Sequence, residues 1–482
     1  VEYLTTIISI LFIVTIVFIS MVILLEKRNP SKTVGWLLVL TFLPVLGFIL
    51  YIFFGSNWRK SNWLPDSEMA YVKKQEKLLA QYSEEVTADE ILPNYDARSE
   101  RVSQLAVTTS HAPLLPNNQV ELIFEGETLY KKLFRDIEEA RDHIHIVFFI
   151  IRNDEIGQKL KNLLIKKAED GCEVRLIYDH IGSKSIERNY VRQLKKAGIK
   201  VFSFLPLMFP MINRRLNYRN HRKIAIIDGK IAYTGGFNLG DEYVGKSKRL
   251  GFWRDAHIRI CGKSVYNLQV IFLKDWYFVS KEAISGENYF PPIFITSLEK
   301  HYLQIVSSGP DTRWPAIMQT YFTLITNANR SVWITTPYLI LDDPTIMALK
   351  TAVLSGVDVR IIVPGKPDHR TIYFATHSYI EELLEAGVKI YLYQKGFIHS
   401  KMLICDDHIL STGSANFNMR SFHIDFEVNA LVYNRETIKQ AIKQLEVDMD
   451  DSIEIDYQEY KKNKRWYRHV AESIARLFSP LI

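Results

Sequence analysis

The chain has 482 residues, 47% of them apolar and 24% charged, with a formal net charge of +6; at roughly 150 residues per domain this is material for about three domains. Such a composition excludes a disordered or collagen-like chain, and equally a transporter built only of membrane spans. Three cysteines, Cys172, Cys261 and Cys405, are too few and too scattered for a disulfide framework or a zinc knuckle and read as core thiols.

Residues 4–25 and 33–54 are each 22 residues without a charge, long enough as helices to cross about 30 Å of hydrocarbon. The first is too long for the apolar region of a signal peptide, follows no basic segment, and is succeeded by a second stretch after seven residues. Two retained transmembrane helices are therefore expected over residues 1–60, which predicts a multi-pass integral membrane protein. Residues 61–115, alternating polar helix-like stretches and Pro-containing turns, read as a juxtamembrane connector.

Beyond the connector the chain repeats itself. Residues 171–178 (GCEVRLIY) are answered by 356–363 (GVDVRIIV), and Ala197-Gly198-Ile199-Lys200-Val201 by Ala386-Gly387-Val388-Lys389-Ile390. Helical patterns lie between these β-branched runs, so each copy reads as an α/β unit on a largely buried sheet. The two units span 116–295 and 296–482 and look like a tandem duplication.

The copies differ in one place. Gly198 precedes His221 by 23 residues and Gly387 precedes His399 by 12, so the first unit carries about eleven extra. That insert runs Pro206-Leu207-Met208-Phe209-Pro210-Met211-Ile212 and leads into Arg214, Arg215 and Arg219. A core-packed loop is the bland interpretation; an apolar tip dipping into a bilayer, with those three arginines on lipid phosphates, is the functional one. A second basic cluster, Lys461, Lys462, Lys464, Arg465 and Arg468, opens a C-terminal amphipathic pattern with Trp466, Val470, Ile474 and Leu477 on one face. It reads either as a surface helix on lipid or as a helix packed on the second unit. Beside apolar residues, such clusters suit anionic phospholipid as partner better than nucleic acid, and no nucleic-acid partner is expected.

Each unit then presents one constellation. The first is His221-Arg222-Lys223, four residues, Asp228, then Thr234-Gly235-Gly236-Phe237-Asn238; the second is His399-Ser400-Lys401, four residues, Asp406, then Thr412-Gly413-Ser414-Ala415-Asn416. In a strand, positions i and i+2 share a face, which puts imidazole beside ammonium. A metal site is not expected, because lysine stands where a ligand should and repels a dication. Phosphate chemistry fits every residue type: lysine and asparagine donate to phosphoryl oxygens, while two histidines let one attack and the other protonate the leaving group. Asp228 and Asp406 complete the motif and have the turn chemistry to close a hairpin.

Paired motifs of this form are those of the phospholipase D superfamily, which the chain resembles from about residue 116 onward. Ser308-Gly309-Pro310-Asp311, Thr335-Thr336-Pro337-Tyr338 and Gly396-Phe397-Ile398-His399, behind an apolar N-terminus with Arg28-Asn29-Pro30 at its bend, are similar to bacterial cardiolipin synthases. One departure is visible: where such synthases often carry Glu-Tyr-Tyr, this chain has Val147-Phe148-Phe149.

The resemblance implies two phospholipase D-like domains in pseudo-two-fold arrangement, at the bacterial cell membrane. It implies phosphatidyl transfer between two phosphatidylglycerol molecules, giving cardiolipin and glycerol through a phosphatidyl-histidine, with no cofactor. Of the two histidines it makes His221 the nucleophile and His399 the acid and base. Lys223, Lys401, Asn238, Asn416 and Ser414 would cradle the phosphoryl oxygens. Asp255 and Glu427 match the family's downstream carboxylates and would orient the imidazoles crosswise, Glu427 on His221 and Asp255 on His399, while Asp228 and Asp406 tie down their hairpins. Alternatives are another acceptor alcohol, or water, which would make a phospholipase; a membrane-anchored nuclease; and a catalytically silent lipid binder.

Overall fold

A computed structural model of the chain describes residues 97–206, 217–293 and 301–479, the segments 30–43 and 66–81, and scattered positions between 3 and 51. The chain divides into two units, Val1–Ser61 with Leu207–Asn217, and Asn62–Pro206 with Tyr218–Ile482. In the smaller unit the helix Pro30–Phe42 has 13 residues, about 20 Å of rise. Leu40 and Tyr51 are buried there, and the Trp36 ring meets Tyr51 edge-on at 5.3 Å.

Among the described residues no helix is long and apolar enough to cross a membrane. This overturns the expectation of a multi-pass integral membrane protein. A charge-free run measures composition, whereas spanning about 30 Å needs one uninterrupted helix of about 20 residues. Most of the first charge-free stretch lies outside the described residues.

The larger unit is built on strands that come in two matching sets. The first half contributes β1 (Leu115–Ile123), β2 (His143–Phe148), β3 (Glu173–Asp179), β4 (Lys200–Phe204), β5 (Ile224–Ile227), β6 (Ile231–Gly235), β7 (Phe252–Arg254) and β8 (His257–Gly262). The second contributes β9 (His301–Ser308), β10 (Ser331–Thr335), β11 (Asp358–Pro364), β12 (Lys389–Tyr393), β13 (Gly396–Ile398), β14 (Met402–Cys405), β15 (Ile409–Gly413), β16 (Glu427–Val432) and β17 (Ser452–Glu454). Fifteen of them form one sheet in the order β17-β12-β11-β10-β14-β15-β16-β9-β1-β8-β6-β5-β2-β3-β4. Read outward from the antiparallel β1–β9 seam, the two sides repeat each other strand for strand, apart from the extra edge strand β17. β2, β3 and β4 pair in parallel, as do β10, β11 and β12. The tandem α/β duplication is thus a single continuous sheet with a pseudo-two-fold at its centre.

β5 and β14 read Ile-Ala-Ile-Ile and Met-Leu-Ile-Cys and are buried at every position, as strands covered on both faces must be. Each turns into its neighbour through an aspartate with positive φ, 52° at Asp228 and 51° at Asp406, a conformation that Asp tolerates better than most residues. Their carboxylates make both turns rigid. Asp228 accepts the backbone N–H groups of Arg141, Asp142 and His143 at 2.8–3.1 Å, and Asp406 those of Asn329, Arg330 and Ser331 at 2.7–3.2 Å. Asp406 also receives Arg98, from the helix Ala97–Ser110, at 2.9 Å.

The C-terminal helix Trp466–Leu477 packs on Arg370–Ala386. Two ion pairs tie it to that partner, Lys464, just before the helix, with Glu381 and Arg476 with Glu382, while Glu472 of the helix itself takes Lys464 and Arg468, all at 2.6–2.9 Å. Trp466, Val470, Ile474 and Leu477 are exposed.

Candidate active site

Two short parallel ladders join the halves where the chemistry-bearing residues lie. β13 runs beside β7, pairing Ile398 with Arg254, and the next amide, His399 N–H, donates to Arg254 O at 2.7 Å. Its counterpart is a bridge between Asn220 and Phe426, where His221 N–H donates to Phe426 O at 2.9 Å. Each histidine backbone is thus clamped to the segment of the other half that carries the acid. Position along these ladders then decides which carboxylate meets which ring.

His221 Nδ1 lies 2.9 and 3.1 Å from the two oxygens of Glu427. His399 Nδ1 lies 2.6 Å from Asp255 Oδ2. Both acids are fully buried, and the histidines are nearly so. With Nδ1 engaged in each ring, Nε2 is the nitrogen available for chemistry.

The two acids are held differently. Glu427 takes the Ser421 hydroxyl at 2.7 Å on one oxygen and the Ser414 hydroxyl on the other. Ser414 was expected at the phosphate; its proton goes to Glu427 instead, while its oxygen accepts Val428 N–H at 3.0 Å. In the first half the position of Ser414 belongs to Gly236, where a Cβ would stand 1.9 Å from Asp255 Oδ1. Asp255 therefore lies directly against bare backbone, braced by Ala256 N–H at 2.8 Å and the Trp253 indole at 3.4 Å.

Lys223 and Lys401 are buried as well. Each ammonium donates to the carbonyl of its own histidine, Lys223 at 2.6 Å. Lys401 Nζ is also 2.9 Å from His399 Nδ1. Burial pushes Lys223 down to about 7 and Lys401 down to about 8, Glu427 and Asp255 pulling the other way in both. Burial likewise drives His221 down to about 4, against Glu427, and lowers His399, with Lys401 adding to the effect. Burial opposes ionisation of Glu427, but His221 and then Lys223 hold it down to about 2; Asp255 is held below its ordinary range by Lys401 and His399 against the same penalty. His221 feels the charge of Lys401, and His399 that of Lys223. These four groups belong to one electrostatic site.

Around them, Asn238 spends Oδ1 on Ile150 N–H at 3.1 Å, which leaves its NH2 as a donor. Asn416 Oδ1 is buried without a hydrogen-bond partner. Aromatic rings wall the histidines: Phe149 lies 4.9 Å from His221, Trp253 5.1 Å and Tyr338 6.3 Å from His399. Asp228 and Asp406 serve the turns described above. Arg219, expected at a lipid headgroup, is turned inward, 4% exposed with Nη1 3.7 Å from Asp179 Oδ1; burial made it an internal partner for a carboxylate 40 positions earlier. Arg214 and Arg215 lie outside the described residues. Ser421, Gly236 and Tyr338 were not singled out as site residues from sequence. For Ser421 the one local signal is its spacing from Asn418, whose side chain caps the helix Met419–His423 by accepting Ser421 N–H at 2.9 Å, and that signal speaks of a helix start only.

An anion-binding centre made by two buried lysines, flanked by imidazoles whose Nδ1 atoms are tied to carboxylates, can bind a phosphodiester and pass it to Nε2 of one ring while the other manages the proton. Residues 133–276 and 321–449 match the family model described as "Cardiolipin synthase, PLD-like domain", and residues 7–56 that described as "Phospholipase_D-nuclease N-terminal". The chain belongs to the cardiolipin synthase family of phospholipase D-like proteins. It is 41% identical to "Cardiolipin synthase" of Halalkalibacterium halodurans over 98% of this chain and 93% of that one. It is also 41% identical to "Major cardiolipin synthase ClsA" of Bacillus subtilis, over 98% of each. Among solved structures, a phosphatidylserine synthase of Haemophilus influenzae superposes with a TM-score of 0.61 at 15% identity, covering 78% of this chain and 97% of that one. That likeness bears on the fold alone.

Proposed function

We propose that the chain is a phosphatidyltransferase that joins two phosphatidylglycerol molecules into cardiolipin and releases glycerol. The observation that carries this is the crossed pair of histidine–carboxylate contacts, His221 with Glu427 and His399 with Asp255, in a chain of this family. Glycerol leaves as a primary alkoxide, a poor leaving group, so one ring must protonate it while the other attacks phosphorus. His221, lowered to about 4, is neutral at pH 7 and suits the attack through Nε2; Glu427 then stabilises the positive phosphatidyl-imidazole. Asp255, hydrogen-bonded to His399 Nδ1 at 2.6 Å, and the bound phosphodiester anion favour the charged form of His399 against the burial and the Lys401 charge that lower it in the empty site, and the ring's Nε2–H gives the proton to the departing glycerol oxygen. Once neutral, it takes the proton of the acceptor's hydroxyl, whose oxygen bonds to phosphorus as the His221–phosphorus bond breaks.

In this reading Lys223, Lys401 and the Asn238 amide donate to the phosphoryl oxygens. Their partner is an anionic phospholipid headgroup, and no cofactor takes part in these steps. The test is purified protein in mixed micelles of detergent and phosphatidylglycerol with a chelator present. Cardiolipin and glycerol should form in equal amounts, and neither His221→Ala nor His399→Ala should make cardiolipin. Phosphatidic acid as the sole lipid product would instead mean hydrolysis.

A further inference from the structure

The two halves repeat each other in backbone, yet beyond the different bracing of the two carboxylates the surroundings of the imidazoles differ in a further polar respect. Just past β10, Tyr338 presents its ring edge-on to His399, and its hydroxyl donates to Asp368 Oδ2. Asp368 lies in the loop after β11, its side chain 14% exposed. That loop is held from the first half by Arg249, whose guanidinium donates 2.7 Å to the Asp368 backbone carbonyl and not to the carboxylate. Oδ1 accepts His369 N–H at 2.7 Å, and the His369 ring, 71% exposed, lies 4.0 Å from Oδ2. The Asp368 charge still reaches Lys401.

Among the described residues nothing equivalent stands beside His221. Aligned through the helix-capping aspartates Asp154 and Asp342, the position of Tyr338 belongs to Ile150, and the ring on His221 is that of Phe149. At the end of β3 the acid, Asp179, is neutralised by Arg219. The His399 side alone therefore carries a phenol and a carboxylate without a lysine or arginine partner among the described residues. A carboxylate repels a phosphodiester but accepts hydrogen bonds from hydroxyl groups, and the phenol fixes its direction.

We propose that Tyr338 and Asp368 form a subsite for the glycerol end of the acceptor, binding the hydroxyl next to the one that reacts; this rests on the phosphatidyl-transfer reading above. The pair is a positioning and specificity device. It sets the attacking oxygen beside His399, the base, and prefers a polyol to an alcohol lacking the second hydroxyl. Water, held by neither group in a fixed direction, is the poorer competitor.

The test uses the full chain and a phosphatidyl donor with a p-nitrophenol leaving group, so that the histidine adduct forms without glycerol. Glycerol and 1,3-propanediol then compete as acceptors, and the ratio of the two phosphatidyl products is read. Wild type should favour glycerol about tenfold or more, as loss of one well-made hydrogen bond implies. Tyr338→Phe and Asp368→Asn should each bring the ratio within about twofold of parity, and His369→Ala should keep the wild-type ratio. Parity in the wild type, or an unchanged ratio in a variant that still releases p-nitrophenol, overturns the subsite. A wild type that releases no p-nitrophenol overturns phosphatidyl transfer itself, and the subsite with it.

Discussion

Glu427 of the second half holds the imidazole of His221 in the first, Nδ1 to Oε1 at 2.9 Å, across 206 positions of sequence. The reciprocal contact, Asp255 to His399 at 2.6 Å, spans 144. Neither half can orient its own histidine. The duplication is thereby locked as a pair, because a single copy would contain a histidine and a carboxylate that do not meet.

Replacing Glu427 by Gln keeps shape but removes the charge that balances the positive phosphatidyl-imidazole. The rate should fall by about 10⁴, the cost of neutralising the acid behind a catalytic histidine. Single-turnover release of glycerol checks it, and Asp255→Asn should slow the same step by depriving His399 of its proton-bearing form. Full glycerol release from Glu427→Gln would separate the contact from the chemistry.

Gly236→Ala is a smaller change with a sharp consequence. The new Cβ would lie 1.9 Å from Asp255 Oδ1, so the carboxylate must swing off His399. We expect kcat to fall about 100-fold, of the order of losing one preorganised partner in an active site, with the thermal melt reporting that the chain still folds. Ser414→Ala, at the matching position of the second half, removes a hydroxyl from Glu427 without such a clash and should cost less.

The two motifs, the repeat and the α/β character were legible because each is written in short spacings: His-x-Lys, the hairpin aspartate, and β-branched runs between helical patterns. Contacts that the fold makes over long distances were not. Asp368 follows Tyr338 by 30 residues and Ser421 precedes Glu427 by six, and no periodicity links either pair. Arg219 shows the limit of charge counting, since a cluster of arginines does not reveal that Asp179 waits inside for one of them. At the N-terminus the absence of charge over 22 residues is a fact of composition, and composition does not fix helical continuity.

The halves are also tied by a buried ion pair. Arg254 Nε and Nη2 meet both oxygens of Asp448 at 2.8 Å, and both side chains are 2% exposed. Because Arg254 O accepts His399 N–H, this pair also steadies the histidine. Asp448→Ala strands a buried guanidinium and should destabilise the fold by about 3–5 kcal/mol, read by denaturant titration. An apolar pair at both positions should recover much of that loss, since the salt bridge offsets its own desolvation only in part.

The lysines make a prediction about protons. With Lys223 pushed down to about 7 and Lys401 to about 8 by burial, the empty site at pH 8 holds them largely and about half deprotonated. A phosphodiester anion favours the charged ammonium, so it binds the protonated site better and raises both values. Binding must then take up protons, and affinity must fall as pH rises above 8. Glycerophosphoglycerol, the deacylated head of phosphatidylglycerol, is a suitable probe because it has no group of its own titrating near that pH. Calorimetry at pH 8 in buffers of different ionisation enthalpy should show uptake of about 0.5–1.5 protons per ligand. At pH 6 both lysines are already charged, so their share disappears and what remains belongs to the histidines. Lys401→Met should remove part of the uptake at pH 8 and weaken binding together. Binding at pH 8 with no proton uptake would mean that both ammonium groups are charged before the ligand arrives, and that burial does not discharge them.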